Sequence, residues 1–313
     1  MKQKHHTVIS SIHDNAGKKH SAIVELYPGI ELSFFSASGK DAFHVCHDPL
    51  IQMLEINYCI SGRIGWNMRN GNGIYLGPGD FSLNTMDVCG NSTITLPNGS
   101  YEGLAIYIDL EQLSANPPTP LADANVTGEL LREKYCKDGI CTALAGNEAV
   151  QNIFEAFYRS PEEMRLAYQK IKVLELLLVL SRMEISREKA LTEYRSEQVE
   201  IIRQIHDQLT QNLEQRYSIE SLSRQFLMNP TTLKSMFKAI YGTSIAAHIR
   251  EHRMEHAAQL LQTSNLSIAD IAMKVGYDSQ SRFSSVFKSQ YQMLPKEYRR
   301  KHTEGIPTAA TGK

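Results

Sequence analysis

Three histidines recur every fourth residue in the last third of the chain: His248, His252 and His256. With Glu251 and Glu255 they spell His-x-x-Glu-His twice, the pattern of one class of zinc metalloprotease. Because residues four apart share one side of a helix, a surface metal ion is chemically feasible there. A catalytic zinc needs further ligands and an open cleft, and short motifs also arise by chance. We therefore predict no protease activity and no metal site.

Cysteine is the other residue type with reactive potential. The chain has five, an odd and small number, which favours free thiols in a reducing compartment over a disulfide framework. Cys136 and Cys141, with four residues between them, are predicted to be two free thiols rather than a metal clip. The longest apolar run, residues 173–180, is interrupted by Glu175 and is too short to span a membrane. The basic residues 1–6 lack the apolar core of a signal peptide, so we expect a cytoplasmic protein without membrane partners.

The elements that would position functional side chains are clearest in the C-terminal third, where the sequence nearly repeats itself. Residues 219–238 and 268–288 align with an offset of 49 and then 50 positions, so one copy carries an extra residue in its turn. The matched pairs are Ile219 with Ile268, Leu222 with Ile271, Leu233 with Phe283, Phe237 with Phe287 and Lys238 with Lys288. Each copy shows two short amphipathic helices around a tight break, which predicts two helix-turn-helix units.

Capping residues support both units. Asn229 precedes Pro230, the arrangement of an N-cap followed by proline at the first helical position. In the second copy Gly276 relieves the backbone at the turn, and either Asp278 or Ser279 can cap the helix that follows. A long helical stretch, residues 245–262, joins the two copies.

The charge distribution is asymmetric. Residues 219–302 hold twelve lysines and arginines against six acidic residues, whereas the rest of the chain has 21 basic and 28 acidic residues. A basic C-terminal segment in an otherwise acidic chain indicates a polyanionic partner.

The segment 218–299 contains Tyr241 to Ser244, Arg253 to Ala257, Leu260-Leu261, Leu266 to Ala272, Val275-Gly276-Tyr277, Phe283 to Lys288 and Pro295 to Arg299. With these residues it resembles the DNA-binding domain of the AraC/XylS family of transcription regulators. The sequence departs from the family pattern at Gln292, where a glycine is usual, at Ser223, where alanine is common, and at Arg282 and Ser285 on the reading surface. The resemblance implies double-stranded DNA and RNA polymerase as partners, a homodimer, and activation rather than repression.

A recognition helix buries one face and turns the other toward base edges in the major groove. The polar residues of each recognition helix point outward because the apolar residues between them are buried. Those apolar residues are Leu233, Met236 and Phe237 in the first unit and Phe283, Val286 and Phe287 in the second. The predicted base-reading residues are Thr231, Lys234, Ser235, Gln280, Ser281, Arg282 and Ser285. Among these, Gln280 matches adenine and Arg282 guanine, while Lys234 suits a phosphate equally well. The predicted phosphate ligands are Lys238, Thr243, Arg253 and Lys288.

Residues 23–110 alternate between apolar and polar types over short runs separated by glycine- and asparagine-rich turns, which predicts a β-sandwich or barrel. Glu55 and Gly62, together with Tyr75-Leu76-Gly77-Pro78-Gly79-Asp80, resemble the cupin-type domain of many such regulators. His44 and His47 are not two apart, and no histidine follows Asp80, so a cupin metal centre is not expected. We instead predict an effector pocket lined by Glu55, Asn57, Tyr58 and Trp66.

A helical region follows. Ser160 and Pro161 are typical of a helix start. The apolar arc of the next helix is wider than one core face requires, so we predict that residues 171–180 dimerise the protein. Residues 186–196 are charged and aperiodic, as in a linker.

The predicted fold class is therefore α+β: a cupin-like β-barrel or sandwich with flanking helices, then an all-α domain. The predicted boundaries are 1–120 for the effector domain, 121–185 for the dimerisation region, 186–196 for the linker, 197–302 for the DNA-binding domain and 303–313 for a flexible tail. We predict a sequence-specific transcription regulator that responds to a small molecule, without a cofactor or enzymatic activity. Two alternatives remain: a cupin-type metalloenzyme with an accessory helical domain, and a regulator that has no effector.

Overall fold

The computed structural model describes residues 23–39, 43–46, 49–68, 71–89, 91–185 and 190–303. The chain divides between Ser196 and Glu197 into two compact units. The N-terminal unit, Met1–Ser196, contains all the described strands and several helices, whereas every described element of the C-terminal unit, Glu197–Lys313, is helical. The predicted combination of an N-terminal sheet region and a C-terminal helical domain is confirmed.

Eleven strands are described in the N-terminal unit, and they form two sheets. The strands are β1 (Val24–Tyr27), β2 (Ile30–Ser38), β3 (Phe43–Cys46), β4 (Met53–Gly62), β5 (Ile64–Asn67), β6 (Asn72–Leu76), β7 (Phe81–Thr85), β8 (Asn91–Thr95), β9 (Ser100–Asp109), β10 (Thr142–Leu144) and β11 (Tyr194–Arg195). The six-stranded sheet has the order β1-β2-β9-β4-β7-β10, and the five-stranded sheet has the order β11-β6-β5-β8-β3. Each described strand pair is antiparallel.

Alternation along β4 explains how the sheets pack. Cys59 points into a cluster shared with Ile74 and Ile94 of the five-stranded sheet, whereas Ile56 and Tyr58 point into a second cluster on the opposite face. Because successive strand residues face opposite sides, a strand with apolar residues in both phases is covered on both faces. The six-stranded sheet is therefore buried on one side by the other sheet and on the other side by helices.

The helices of this unit are α1 (Met86–Cys89), α2 (Leu110–Ala115), α3 (Thr119–Asp123), α4 (Gly128–Tyr135), α5 (Glu148–Tyr158) and α6 (Arg165–Arg182). Short 3₁₀ turns cover Lys137–Gly139 and Glu162–Met164. α6 buries Val173, Leu176, Leu177 and Leu180 in the cluster that also holds Ile56. This row of aliphatic side chains holds the helix in the core.

The start of α6 differs from the prediction. The Ser160 hydroxyl donates to the carbonyl of Ala156, 2.9 Å away, in the last turn of α5, so it closes that helix instead of capping the next. The chain then passes through the 3₁₀ turn, and α6 begins at Arg165 without a side-chain cap. Serine hydroxyls bond backward to a carbonyl four residues earlier as readily as they cap.

The segment predicted as a linker also differs. Residues 186–189 lie outside the described residues, but Leu191 donates its amide to the carbonyl of Ala143, 2.8 Å away, and β11 pairs with β6. The Asn72 side chain donates to the Glu193 carboxylate at 2.8 Å. Backbone pairing to a sheet edge does not require an apolar pattern. The charged sequence of this segment therefore does not predict the pairing of β11 with β6. The short strand β10 was missed for a similar reason, because three residues are too few to show alternation.

The C-terminal unit consists of α7 (Ser196–Gln211), α8 (Ile219–Gln225), α9 (Pro230–Tyr241), α10 (Ile245–Thr263), α11 (Ile268–Lys274), α12 (Gln280–Tyr291) and α13 (Pro295–Thr303). α10 buries Met254, Ala257 and Leu261 among residues of α11 and α12. None of the helices in the described part of the chain has the length and hydropathy needed to cross a membrane.

Candidate nucleic-acid interface

The first helix-turn-helix unit consists of α8 and α9. Ser218 caps α8 in a reciprocal capping box with Ser221, and the Asn229 side chain accepts from the amide of Thr231 at 2.9 Å. Pro230 occupies the first helical position of α9, as predicted. These caps fix where both helices begin.

The second unit, α11 and α12, repeats the turn. The amide of Tyr277 donates to the carbonyl of Ala272 at 2.9 Å, as the amide of Met228 donates to Ser223 at 3.1 Å in the first unit. Ser279, rather than Asp278, caps α12 by accepting from the amide of Arg282. Asp278 is therefore the extra residue between otherwise matching turns.

Glycine is required at the second turn. Gly276 has a φ of +77°, and a Cβ there would meet the Leu213 carbonyl at 2.7 Å. The equivalent position of the first unit is Leu227, which adopts the same left-handed region with a φ of +51°. The first turn consequently carries backbone strain that the second avoids.

The outer face of α9 is polar. Leu233, Met236 and Phe237 are buried, whereas the three predicted base-reading residues on this helix and one predicted phosphate ligand are exposed. Those four residues are Thr231, Lys234, Ser235 and Lys238. Their spacing of three and four places them along one side of the helix, so they can contact one surface together.

The outer face of α12 differs chemically. Phe283 and Phe287 are fully buried and Val286 partly so, while the predicted readers Gln280, Ser281, Arg282 and Ser285 are exposed together with Lys288. When the caps Asn229 and Ser279 are aligned, the four exposed residues of α9 correspond to Ser281, Ser284, Ser285 and Lys288 of α12. We call these four residues of α12 its outer row. Arg282 corresponds to Thr232 and lies at the flank of this row, about 100° around the helix from Ser281. From the position of Arg282, only a long side chain can reach the middle of the outer row of α12.

Arg253 on α10 is placed differently from the expected phosphate ligand. Its guanidinium donates to the carbonyl of Gln215 at 2.9 Å and to that of Gly276 at 3.2 Å, and it lies 5.9 Å from the centre of the Tyr277 ring. Burial lowers the pKa of Arg253 from its usual value. The fork of donors is thus directed at two backbone segments of the protein itself.

A second contact joins the same segments. Arg216 pairs with the carboxylate of Asp278, the inserted turn residue, with 2.5 Å between nitrogen and oxygen. Arg216 and Gln215 precede the first helix-turn-helix unit, and Asp278 and Gly276 belong to the turn of the second. We call Arg216, Arg253, Gln215, Gly276 and Asp278 the brace.

Of the other predicted phosphate ligands, Thr243 is half-buried in the turn between α9 and α10, next to the N-cap Ser244. Arg299, which the sequence analysis counted among the basic and the family-matching residues but gave no role, donates to the carbonyls of Leu261 and Leu266 and secures the end of α10.

The histidines of α10 meet a residue that sequence reasoning missed. His248 and His252 lie beside His206 of α7, and one ligand nitrogen from each falls within 4.8 Å of the others, whereas His256 is not in this group. Burial, followed by the two neighbouring histidines, lowers the pKa of His248 to about 3, so that this imidazole is neutral near pH 7. One sequence feature could have drawn attention to His206: it directly follows Ile205 in the buried stripe of α7, which consists of Val199, Ile202, Ile205 and Leu209.

In the N-terminal unit, two of the four predicted effector-pocket residues line one small pocket between the sheets. Its lining residues are Glu55, Trp66, Met68, Ile74, Ser82, Asn84, Val88 and Cys141, and its interior has room for about one water molecule. The Asn84 amide donates to the Glu55 carboxylate at 3.2 Å. Asn57 is buried on the same side of β4 but is not part of the lining.

Tyr58 lies on the opposite face of the sheet. Its ring stacks on Phe154 of α5 with 4.3 Å between centres, and burial raises its pKa to about 12. It therefore belongs to the helical core, because consecutive residues of β4 point to opposite sides.

Asp80 of the cupin-like segment and the described cysteines have structural settings. Asp80 accepts from the amide of Gly77 at 2.8 Å and so closes the Gly77-Pro78-Gly79 turn. The side chain of His44 and all of His47 lie outside the described residues. Cys59, Cys136 and Cys141 are free thiols, and burial raises the pKa of Cys59 and Cys136 to about 12.

Comparison with known proteins gives a consistent result. Residues 222–301 match the family described as "Helix-turn-helix domain". Over 86 residues the chain is 41% identical to the HTH-type transcriptional regulator AlkR of Acinetobacter baylyi, covering 28% of each chain. Over 119 residues it is 32% identical to the HTH-type transcriptional activator AarP of Providencia stuartii, covering 38% of this chain and 86% of AarP.

A longer alignment includes the N-terminal unit. The chain is 27% identical over 270 residues to the thermoregulatory protein LcrF of Yersinia pestis, covering 80% of this chain and 92% of LcrF. The matched region thus extends well beyond the two helix-turn-helix units.

Proposed function

Because the chain belongs to the AraC/XylS family of DNA-binding transcription regulators, we propose that α9 and α12 enter two major grooves on the same side of a duplex. The observation that carries this proposal is the paired exposure of polar side chains on two helices whose opposite faces are buried. Thr231, Lys234 and Ser235 read one half-site. Gln280, Ser281, Arg282 and Ser285 read the other, with Lys238, Thr243 and Lys288 at phosphates.

The spacing of the two half-sites depends on α10 and the brace. α10 has 19 residues, about 28 Å at a rise of 1.5 Å per residue. One turn of B-DNA separates successive major grooves by about 34 Å. The brace adds a second connection between the units, so that their separation does not rely on one helix alone.

The test is DNA binding by the full chain. We expect a preference for the region upstream of its own or neighbouring genes over random DNA, measured by fluorescence anisotropy. Each neutralised phosphate should contribute about −0.9 to the slope of log K against log salt. Equal affinity for both DNAs at every salt concentration would contradict the proposal.

We further propose that the N-terminal unit senses a small molecule and that the response is activation of transcription through RNA polymerase. Support for activation comes from AarP, whose name describes a transcriptional activator. The names of the relatives also support the prediction that the chain is not an enzyme. The cupin-type description of the N-terminal unit belongs to this proposal and is supported by its two antiparallel sheets.

The effector site we propose is the pocket lined by Glu55 and Trp66. Because it has room for about one water molecule, an effector must part the sheets or move Met68 and Val88. Trp66 is the single tryptophan of the chain, so its fluorescence reports on this pocket. A low-molecular-weight cell extract should change that fluorescence, and Ser82→Leu, which fills the pocket without adding a second tryptophan, should abolish the response to the extract. A regulator without an effector would show no response in either protein.

A homodimer formed through α6 completes the proposal. Val173 and Leu177 are buried, but Ile171 remains 62% exposed, with Tyr168 also exposed and Leu174 half-buried. This apolar strip supports the predicted pairing of two chains.

A further inference from the structure

We propose that His206, His248 and His252 form a binding site for a divalent transition-metal ion of the zinc type, which ties α7 to α10 beside the first recognition helix. One ligand nitrogen from each imidazole lies within 4.8 Å of the other two. The Nε2 atoms of His248 and His252 are 3.1 Å apart. Three imidazoles on two helices thus converge on one point.

Carboxylates on the outer side of two of these rings favour ligation. Asp207 Oδ1 lies 3.2 Å from Nδ1 of His206, and Glu255 Oε2 lies 3.5 Å from Nδ1 of His252. The Asp207 carboxylate is within hydrogen-bond distance, so it holds the proton on Nδ1 of His206 and makes Nε2 the atom with the available lone pair, whereas Glu255 acts on His252 only as a nearby negative charge. Histidine ligands of metal ions usually carry such a partner on their second nitrogen.

The separations are close to those of a metal site. Zinc–nitrogen bonds of about 2.0–2.1 Å at tetrahedral angles put ligand nitrogens about 3.4 Å apart. The Nε2 atoms of His248 and His252, hydrogen-bonded at 3.1 Å, must separate slightly when a metal ion replaces the shared proton, and small side-chain rotations bring His206 in from within 4.8 Å. A solvent molecule would complete four-coordination.

The chemistry of the donors selects the ion. Neutral imidazoles suit Zn²⁺, Cu²⁺ and Ni²⁺, whereas Mg²⁺ and Ca²⁺ prefer oxygen donors. His248 is buried, so an ion bound there is shielded from bulk water on that side. This site differs from the two His-x-x-Glu-His motifs, because it takes one ligand from α7 and omits His256.

The position of the site links it to DNA binding. The His248 ring lies 5.4 Å from that of Phe237 and 5.1 Å from that of Tyr241, both on the buried side of α9. His206 stacks on Tyr241 with 4.4 Å between centres. A bound ion would therefore fix the packing behind the first recognition helix.

Metal titration of the full chain, first freed of metal by a chelator, tests the site. We expect one Zn²⁺ per chain at the cluster, with Co²⁺ as a spectroscopic substitute that shows four-coordinate absorption bands without thiolate charge transfer. His252→Gln, at a half-buried position, and His206→Phe, which keeps the stacking on Tyr241, should each weaken the affinity at least tenfold. His256→Gln is the matched control on the same helix and should bind as the wild type does.

Circular dichroism verifies that each variant is folded. If His206→Phe is unfolded, the comparison of His252→Gln with the wild type decides the test. Zn²⁺ should also raise the melting temperature of the wild type and of His256→Gln, but not that of His252→Gln. Equal affinity in all folded variants, thiolate bands with Co²⁺, or no binding at micromolar Zn²⁺ would each overturn the proposal.

Discussion

Arg253 and Gln215 are joined by a hydrogen bond of 2.9 Å from the guanidinium to the backbone carbonyl, and the same guanidinium reaches the Gly276 carbonyl at 3.2 Å. One side chain on the connecting helix thereby holds the segment before the first helix-turn-helix unit against the turn of the second. The Arg216–Asp278 ion pair joins the same two segments but is largely exposed, so it contributes little by itself.

Replacing Arg253 with alanine should therefore separate bracing from phosphate binding. Loss of the brace leaves two carbonyls without a charged donor, and we expect a fall of about 1–3 kcal/mol in the free energy of unfolding. Affinity for a two-half-site operator should fall, while the salt slope stays unchanged because no phosphate contact is lost.

Lys288→Ala is the comparison. Its side chain is exposed on α12, so its loss should make the salt slope shallower by about 0.9 and leave stability unchanged. If Arg253→Ala instead gave the shallower slope at unchanged stability, Arg253 would be a phosphate ligand, as the sequence first indicated.

Arg282 is the residue whose reading role is most open to test. As a base reader, its change to alanine should cost about 1–3 kcal/mol of binding and relax the preference at one base pair. Its position at the flank of α12 makes a phosphate contact the competing role. Binding-site selection with wild type and Arg282→Ala at two salt concentrations distinguishes them. An unchanged sequence preference with a shallower salt slope would leave Gln280 as the main reader of this helix.

Gln292 ends α12 in the left-handed region, with a φ of +58°, where α9 ends in Gly242 with a φ of +80°. A side chain with a Cβ is strained there, so Gln292→Gly should stabilise the protein by about 0.5–1 kcal/mol despite the loss of the bond to Ser289. Gly242→Ala should destabilise it by a similar amount. Denaturant unfolding measures both, and a destabilised Gln292→Gly would show that the side-chain bond outweighs the strain.

The exposed strip of α6 predicts the behaviour of one further variant. Ile171→Glu should shift the protein from dimer to monomer in sedimentation experiments, since a charge cannot be buried in an apolar interface without a partner. Asn152→Glu, at an exposed position of α5, is the control for one added negative charge outside the strip. A wild-type monomer, or a dimer that survives Ile171→Glu, would remove α6 from the interface.

Sequence reasoning placed the C-terminal elements well because local rules determine them. Asn229, Pro230 and Ser279 act through residues no more than a few positions away, and the structure places caps at Asn229 and at Ser279, one of the two predicted candidates. The burial of Phe237, Phe283 and Phe287 follows equally from helical spacing.

Relationships between distant segments could not be predicted in the same way. Neither the contact of Arg253 with Gln215 nor the meeting of His206 with His248 leaves a local pattern, because each depends on how two helices pack. The face on which Tyr58 lies required the register of β4, which one residue of shift would reverse. The predictions of Arg253 as a phosphate ligand and of Tyr58 as a pocket residue rested on side-chain type alone.

A hydroxyl-radical footprint of the full chain on its selected operator tests the two-groove account most directly. We predict two protected segments centred about 10–10.5 base pairs apart. Lys234→Ala with Ser235→Ala should weaken protection of one segment only, and Gln280→Ala with Arg282→Ala that of the other. A single protected segment, or two segments that both variants weaken equally, would contradict the claim that each helix-turn-helix unit reads its own half-site.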